Sequence, residues 1–260
     1  MKIILVTNRK GGVLKSTLVF IIAVFFGSIM KKKVLVLDGD PAGNVSSTFK
    51  LRAKSENSDT RILPNLSEFL ETDIEVEQSD HTISVMPGDL KLAQLEKIDP
   101  TSVIEALAEI KAISGYSLCV IDTAPTASNF VVAAKALSDY VVIPHTFDDY
   151  SEGGIAEVTQ QLSTLRQKGI SQAELLAIVP TRIDGGDRLQ CAEVVEALNG
   201  ELAGYITPPI NNRRTGRQAM GEGLAPWEIK TQSRVKREAL LVMGFLAGKL
   251  FPVDLKSEVK

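Results

Sequence analysis

Ten residues near the start of the chain, Asn8-Arg9-Lys10-Gly11-Gly12-Val13-Leu14-Lys15-Ser16-Thr17, constrain the fold more than any other stretch. They follow the apolar run Ile3-Ile4-Leu5-Val6 and open a long apolar segment that begins at Leu18. A short apolar run, a glycine loop and an apolar segment of helical length spell strand, turn and buried helix. Glycines in such a loop let backbone N–H groups point inward around an anion, and the helix N-terminus adds positive potential. In that setting Lys15 reaches terminal phosphates and the Ser16 hydroxyl holds Mg²⁺. The loop therefore predicts a nucleoside triphosphate site, and Lys10 is a surplus cation within it.

Apolar runs recur along the chain at Ile3–Val6, Val34–Leu37, Ile83–Met86, Leu118–Ile121, Tyr140–Ile143, Leu175–Val179 and Tyr205–Ile206. Helical stretches fall between most of them, among them Val103–Ile113, Ala127–Leu137, Ile155–Gln167 and Gln190–Leu198. Strands alternating with helices predict an α/β fold: a doubly wound, mostly parallel sheet flanked by helices. The polar stretch 51–64 reads as a surface loop, and no composition shift marks a second domain. The expectation is one domain over residues 1–251 with a polar tail over 252–260.

Leu18–Met30, the most apolar segment, is shorter than the roughly 18–20 residues of a membrane span and reads as the buried helix after the loop. No leader peptide is read, because Met1-Lys2 runs straight into the first strand, and the expected compartment is the cytoplasm. The net charge is −3, so contact with nucleic acid requires a local basic patch. Cys119 and Cys191 lack C-x-x-C spacing, which argues against a zinc or iron–sulfur site within one chain; Cys119 reads as a core residue.

Two further motifs follow strands. Asp38-Gly39-Asp40-Pro41-Ala42-Gly43-Asn44 comes after the second apolar run, and Cys119-Val120-Ile121-Asp122-Thr123-Ala124-Pro125 ends a later one. Loops after parallel strands collect at one sheet edge, where ligands bind. Carboxylates there can support Mg²⁺ and orient an attacking water. The same letters also form ordinary turns, and only the neighbouring glycine loop favours the chemical reading.

Together these residues resemble the ParA/MinD family of deviant Walker A ATPases, and the ParA-type DNA partition ATPases most. The resemblance rests on Lys10-Gly11-Gly12 ahead of Lys15-Ser16, on Asp38 to Asn44, and on Asp122 to Pro125. It extends through Val85-Met86-Pro87-Gly88, Ala136 to Pro144 and Pro209-Ile210-Asn211-Asn212-Arg213, about residues 1–250. It implies a slow, partner-stimulated ATPase with ATP and Mg²⁺ as ligands. Lys10, Gly11, Gly12, Val13, Leu14, Lys15, Ser16 and Thr17 would wrap the phosphates, while Thr181, Pro209 and Asn211 would meet the base. Ser16, Asp38 and Asp122 would serve the metal, and Asp40 the hydrolytic water. Lys10 would cross to the partner subunit of an ATP-bound homodimer.

The family usually carries glycine where this chain has Leu14. If that position needs positive φ, leucine costs about 1–2 kcal/mol; in a helical conformation it costs little. Arg9 also departs from the usual small or amide residue.

Basic residues gather at Arg213, Arg214, Arg217, Lys230, Arg234, Lys236 and Arg237, opposed only by Glu222 and Glu228 between Asn211 and Arg237. A solvated helix surface would look the same, but the resemblance implies nonspecific DNA binding here, with Arg188 as a further contact. It also implies a ParB-like centromere-binding or cargo-adaptor partner and association with the nucleoid. The end of the chain is too polar for the amphipathic membrane helix of the MinD branch. The alternative function is a ParA-like positioning scaffold for a protein cargo, with weak or no hydrolysis.

Overall fold

The structure is a computed structural model. It describes the chain except residues 57, 73–75, 77–78, 98–99, 147–151, 182–201, 212, 231–233 and 253–260; the backbone alone is described at 95–97, 100, 102 and 152–154. The helix predicted at Gln190–Leu198, the loop with Arg188, and most of the polar tail lie outside the described residues.

Seven strands form one sheet in the order β3-β4-β2-β5-β1-β6-β7. They are β1 (Lys2–Val6), β2 (Val34–Gly39), β3 (Thr60–Ile62), β4 (Ile83–Met86), β5 (Leu118–Thr123), β6 (Tyr140–Thr146) and β7 (Glu174–Thr181). Every pairing between them is parallel. Connections are made by α1 (Lys15–Val24, continued as a π-turn over Phe25–Ile29), α2 (Asn44–Arg52), α3 (Leu66–Glu71), α4 (Pro100–Ala112), α5 (Asn129–Leu137) and α6 (Glu152–Gln167). After β7 come α7 (Arg214–Gly221) and α8 (Arg234–Leu250).

The apolar runs are unbroken because both sheet faces are covered. Successive side chains of a strand point to opposite faces. Accordingly Ile4, Val6, Val34, Val36, Leu118 and Val120 join the core under α1, α2 and α8. Ile3, Leu5, Leu35, Leu37, Cys119 and Ile121 join the core under α3 to α6. Helix α1 lies in the thick of the first core, with Leu18 to Val24 all buried. Phe20 packs on Phe49 of α2 with ring centroids 4.8 Å apart. Burying such a ring contributes about 2–3 kcal/mol.

Two expectations are corrected. The polar stretch 51–64 contains β3, an edge strand whose Thr60, Arg61 and Ile62 pair with Ile83, Ser84 and Val85. Tyr205–Ile206 is not a strand: Ala203–Tyr205 is a 3₁₀ turn, and Ile206 makes only an isolated bridge to Ile178. No helix among the described residues is long and apolar enough to cross a membrane.

Candidate nucleotide and metal site

Strands β2, β5 and β1 are neighbours, so the three motifs that follow them meet at one sheet edge. Asp38 and Asp122 are the penultimate residues of β2 and β5 and stand in register with each other. The glycine loop runs from β1 to α1, and Asn8 pins its start. The Asn8 amide donates to the Pro144 carbonyl at 2.8 Å, and its Oδ1 accepts the Lys10 N–H at 2.9 Å. Gly12 has φ of 73°. Thr123 ties the β5 end to β1 by donating its hydroxyl to the Val6 carbonyl at 3.0 Å.

Leu14 adopts φ 67° and ψ 28°, the left-handed region, directly before the first turn of α1. The chain thus keeps the backbone path that glycine would take, at a cost of about 1–2 kcal/mol. Its side chain packs against the core under α8 and lines a cleft of about 160 Å³. Thr17, Ile21, Ile210, Asn211, Arg217 and Val235 share that lining. Arg9, the other departure, forms an exposed ion pair with Glu157 on α6.

Lys15 is 6% exposed. Its ammonium donates to the Lys10 carbonyl at 3.0 Å, so it spans the glycine loop. Burial lowers its pKa, opposed by the charges of Asp122 and Asp40. Asp38 and Asp122 are each 0% exposed. Asp38 Oδ2 accepts both the N–H of Ser46, at 3.0 Å, and the Ser46 hydroxyl; Oδ1 accepts the Asp40 N–H at 3.1 Å. Burial nonetheless raises its pKa. Asp122 accepts from the Thr123 N–H at 2.9 Å and from the Ser16 hydroxyl. Burial, and then the neighbouring Asp38, push its pKa up to about 7. Its Oδ2 is buried with no hydrogen-bond partner.

These residues fit a divalent cation. Two buried carboxylates and a hydroxyl converge, and one carboxylate oxygen is left over. A hard cation such as Mg²⁺ takes oxygen ligands of this kind. Asp40 stands at the mouth of the site, half-buried, with Oδ1 accepting the Ala42 N–H at 2.9 Å. Gly88 closes the floor: a Cβ there would lie 2.5 Å from the Asp40 carbonyl oxygen. Sequence reasoning missed Ser46, and gave Gly88, named within the Val85–Gly88 segment, no role at the site. The S-S-T run after Asn44 was the only signal for the first.

Beyond the loop, Thr181 is buried at the end of β7 and donates its hydroxyl to the His145 carbonyl at 3.1 Å. Its strand bridges Ile210. Asn211 donates its side-chain amide to Glu238 at 3.2 Å, which fixes the amide with Oδ1 buried and unpartnered. Pro209 is half-buried beside it. Arg213 spends its guanidinium on Glu238, at 2.9 Å. Arg214 and Arg217 on α7, and Lys230 and Arg234 before and at the start of α8, are exposed; Lys236 is half-buried.

An AAA domain family matches residues 1–176. Protein IncC of Escherichia coli is 29% identical over 88% of this chain, which spans 64% of IncC's own length. The chromosome-partitioning ATPase Soj of Thermus thermophilus is 31% identical over 85% of this chain and 86% of its own. The ATP complex of a McdA variant from Cyanothece superposes with a TM-score of 0.78 at 19% identity, covering 95% of this chain and 96% of that one. A plasmid partition protein from Borrelia burgdorferi gives 0.72 at 19% identity, covering 95% and 98%.

Proposed function

The chain belongs to the ParA/MinD family and is a ParA-like ATPase, and from that premise we propose that it is an ATP-dependent dimerising switch that binds nonspecific DNA and partitions a plasmid or chromosome. The observation that carries the nucleotide half is the cluster of Lys15, Ser16, Asp38 and Asp122, with a buried carboxylate oxygen lacking any partner. Lys15 exchanges the Lys10 carbonyl for phosphate oxygens. The N–H groups of Gly11 to Thr17 orient the phosphates. Ser16, Asp38 and Asp122 would hold Mg²⁺, which would supply charge withdrawal from the phosphates. Asp40 orients the hydrolytic water. The orphaned Asn211 Oδ1 suits the exocyclic amino group of adenine, whereas guanine would present a carbonyl there. Lys10 reaches the phosphates of a second copy and stabilises developing charge, as an arginine finger does.

The DNA half rests on Arg214, Arg217, Lys230 and Arg234, whose exposure suits salt-sensitive contact with phosphates. Arg213 contributes less charge than the sequence suggests, because Glu238 shares it. The protein is cytoplasmic and, as the ATP-bound dimer, nucleoid-associated; a ParB-like centromere-binding or cargo-adaptor protein stimulates hydrolysis and releases the dimer from DNA. The test is sedimentation and DNA binding with ATP, ADP and no nucleotide. Dimerisation and DNA binding are expected with ATP alone; equal DNA binding in all three states would sink the proposal.

The second reading, a positioning scaffold for a protein cargo that hydrolyses little, draws on the strained Leu14 within the phosphate loop. Phosphate release separates the two. Partner-stimulated turnover that falls to background in Asp40→Ala supports the switch, and background turnover in the unaltered protein supports the scaffold.

A further inference from the structure

Helix α2 is held at both ends by polar groups that belong to different parts of the molecule. At its start, Ser46 gives both N–H and hydroxyl to Asp38 Oδ2, and its hydroxyl accepts the Gly88 N–H at 3.1 Å. Any ligand that draws on Asp38 therefore acts on the first turn of α2. At its end, Arg52 is gripped on two sides. Nε and Nη2 donate to the two oxygens of Asp59, each at 2.8 Å. Nη1 and Nη2 donate to the two oxygens of Glu228 at 2.8 and 2.9 Å. The Gly223 carbonyl and the Ser28 hydroxyl complete the set at 3.3 and 3.2 Å.

The turn that receives Arg52 lies just beyond α7. Gly223 has φ of 73°, and a Cβ there would stand 2.5 Å from the Arg52 nitrogen. Glu228 is itself fixed, because its Oε2 accepts the Ala225 N–H at 2.7 Å. Backbone in such close approach, locked by a doubly bidentate arginine, leaves the end of α2 and the end of α7 no independent travel. Between Ser46 and Arg52, α2 is a stiff rod roughly 9 Å long.

We propose that α2 couples the nucleotide site to the basic helix α7, with Ser46 and Arg52 as its positioning residues. Occupancy at Asp38 shifts the start of α2, and the Arg52 clamp carries that shift to Arg214 and Arg217. The inference rests on the nucleotide reading of the site above, and adds the route by which that site sets the state of α7. Coupling of this kind typically changes an equilibrium by about 5–150-fold.

Backbone amide exchange tests it on the full chain, with and without Mg²⁺ and a non-hydrolysable ATP analogue, followed at residues 10–18 and 214–221. In the unaltered protein, nucleotide is expected to protect both segments, α7 by about tenfold. Arg52→Lys keeps the charge but loses the fork, and Glu228→Gln keeps the shape but loses the charge. Each is expected to keep full protection at 10–18 while the response of α7 falls below about threefold. Should one variant fail to fold, the other carries the test. A merely structural clamp would lower α7 protection equally in both states and leave the ratio at its wild-type value; that result overturns the proposal. So does an unaltered protein whose loop is protected by nucleotide while α7 does not respond. Absence of protection at 10–18 in the unaltered protein overturns the nucleotide reading itself, and this inference with it.

Discussion

Two clusters of partly or fully buried charge stand at opposite ends of α2, and they are built on opposite principles. Around Arg52, the cation faces two carboxylates with matched geometry, and the pKa of Asp59 is depressed to about 2 by hydrogen bonding from that guanidinium against its own burial. Around Asp122, two carboxylates face each other at adjacent strand ends, and burial carries one of them up to about 7. The first cluster satisfies itself; the second is short of positive charge and holds an unused acceptor. The comparison separates charges that hold a fold together from charges that await a ligand. Burial is common to both, so burial alone identifies neither.

The largest expected break in this contrast is Arg52→Ala. Removing the cation strands Asp59 and Glu228, and urea denaturation should show a loss of about 3–5 kcal/mol. A loss under 1 kcal/mol would mean the cluster is no clamp. The pH dependence comes next, and its sign differs between the clusters. The pKa of Asp59 is lower folded than unfolded, so its contribution is present above about pH 4 and is lost as pH falls toward 2. That depression is worth about 2.5 kcal/mol at most, less what solvent screens at this partly exposed carboxylate. Asp122 is raised, so its contribution is present below about pH 4 and is lost as pH rises through about 7. Melts of nucleotide-free protein from pH 2 to 8 should lose the acid limb in Asp59→Asn and the neutral limb in Asp122→Asn.

At pH 8 the Asp122→Asn variant should also be more stable than the unaltered protein without nucleotide, by about 1–2 kcal/mol, while losing Mg²⁺-dependent turnover. A destabilised Asp122→Asn would place Asp122 with the structural charges after all. The smallest effect concerns Leu14. Leu14→Ala forfeits packing and keeps the left-handed strain, whereas Leu14→Gly forfeits packing and relieves it. The glycine variant should exceed the alanine variant by about 1 kcal/mol in thermal unfolding.

Much of this architecture is legible in the chain itself. Strands β1, β2, β4, β5, β6 and β7 announce themselves as apolar runs because both faces of a parallel sheet are buried. Strand β3 does not, since an edge strand of three residues, Thr60-Arg61-Ile62, buries little and sits in polar company. Tyr205–Ile206 misleads for the opposite reason: local composition favours a strand where the chain only touches the sheet edge. Lys15, Asp38 and Asp122 are legible because their motifs follow strands in a known order. The Arg52 clamp is invisible by the same approach, because Glu228 lies 176 residues away and neither residue belongs to a motif. Local chemistry reads well from sequence; long-range pairing of single polar residues does not.

Leu14 carries a consequence for how such loops are spelled. Its φ of 67° shows that the requirement at this position is a hand of the backbone, for which glycine is the cheap answer and leucine a dear one. A signature written in letters excludes the chain at this residue. One written in dihedral angles admits it, together with any relative that meets the same turn with an unexpected side chain.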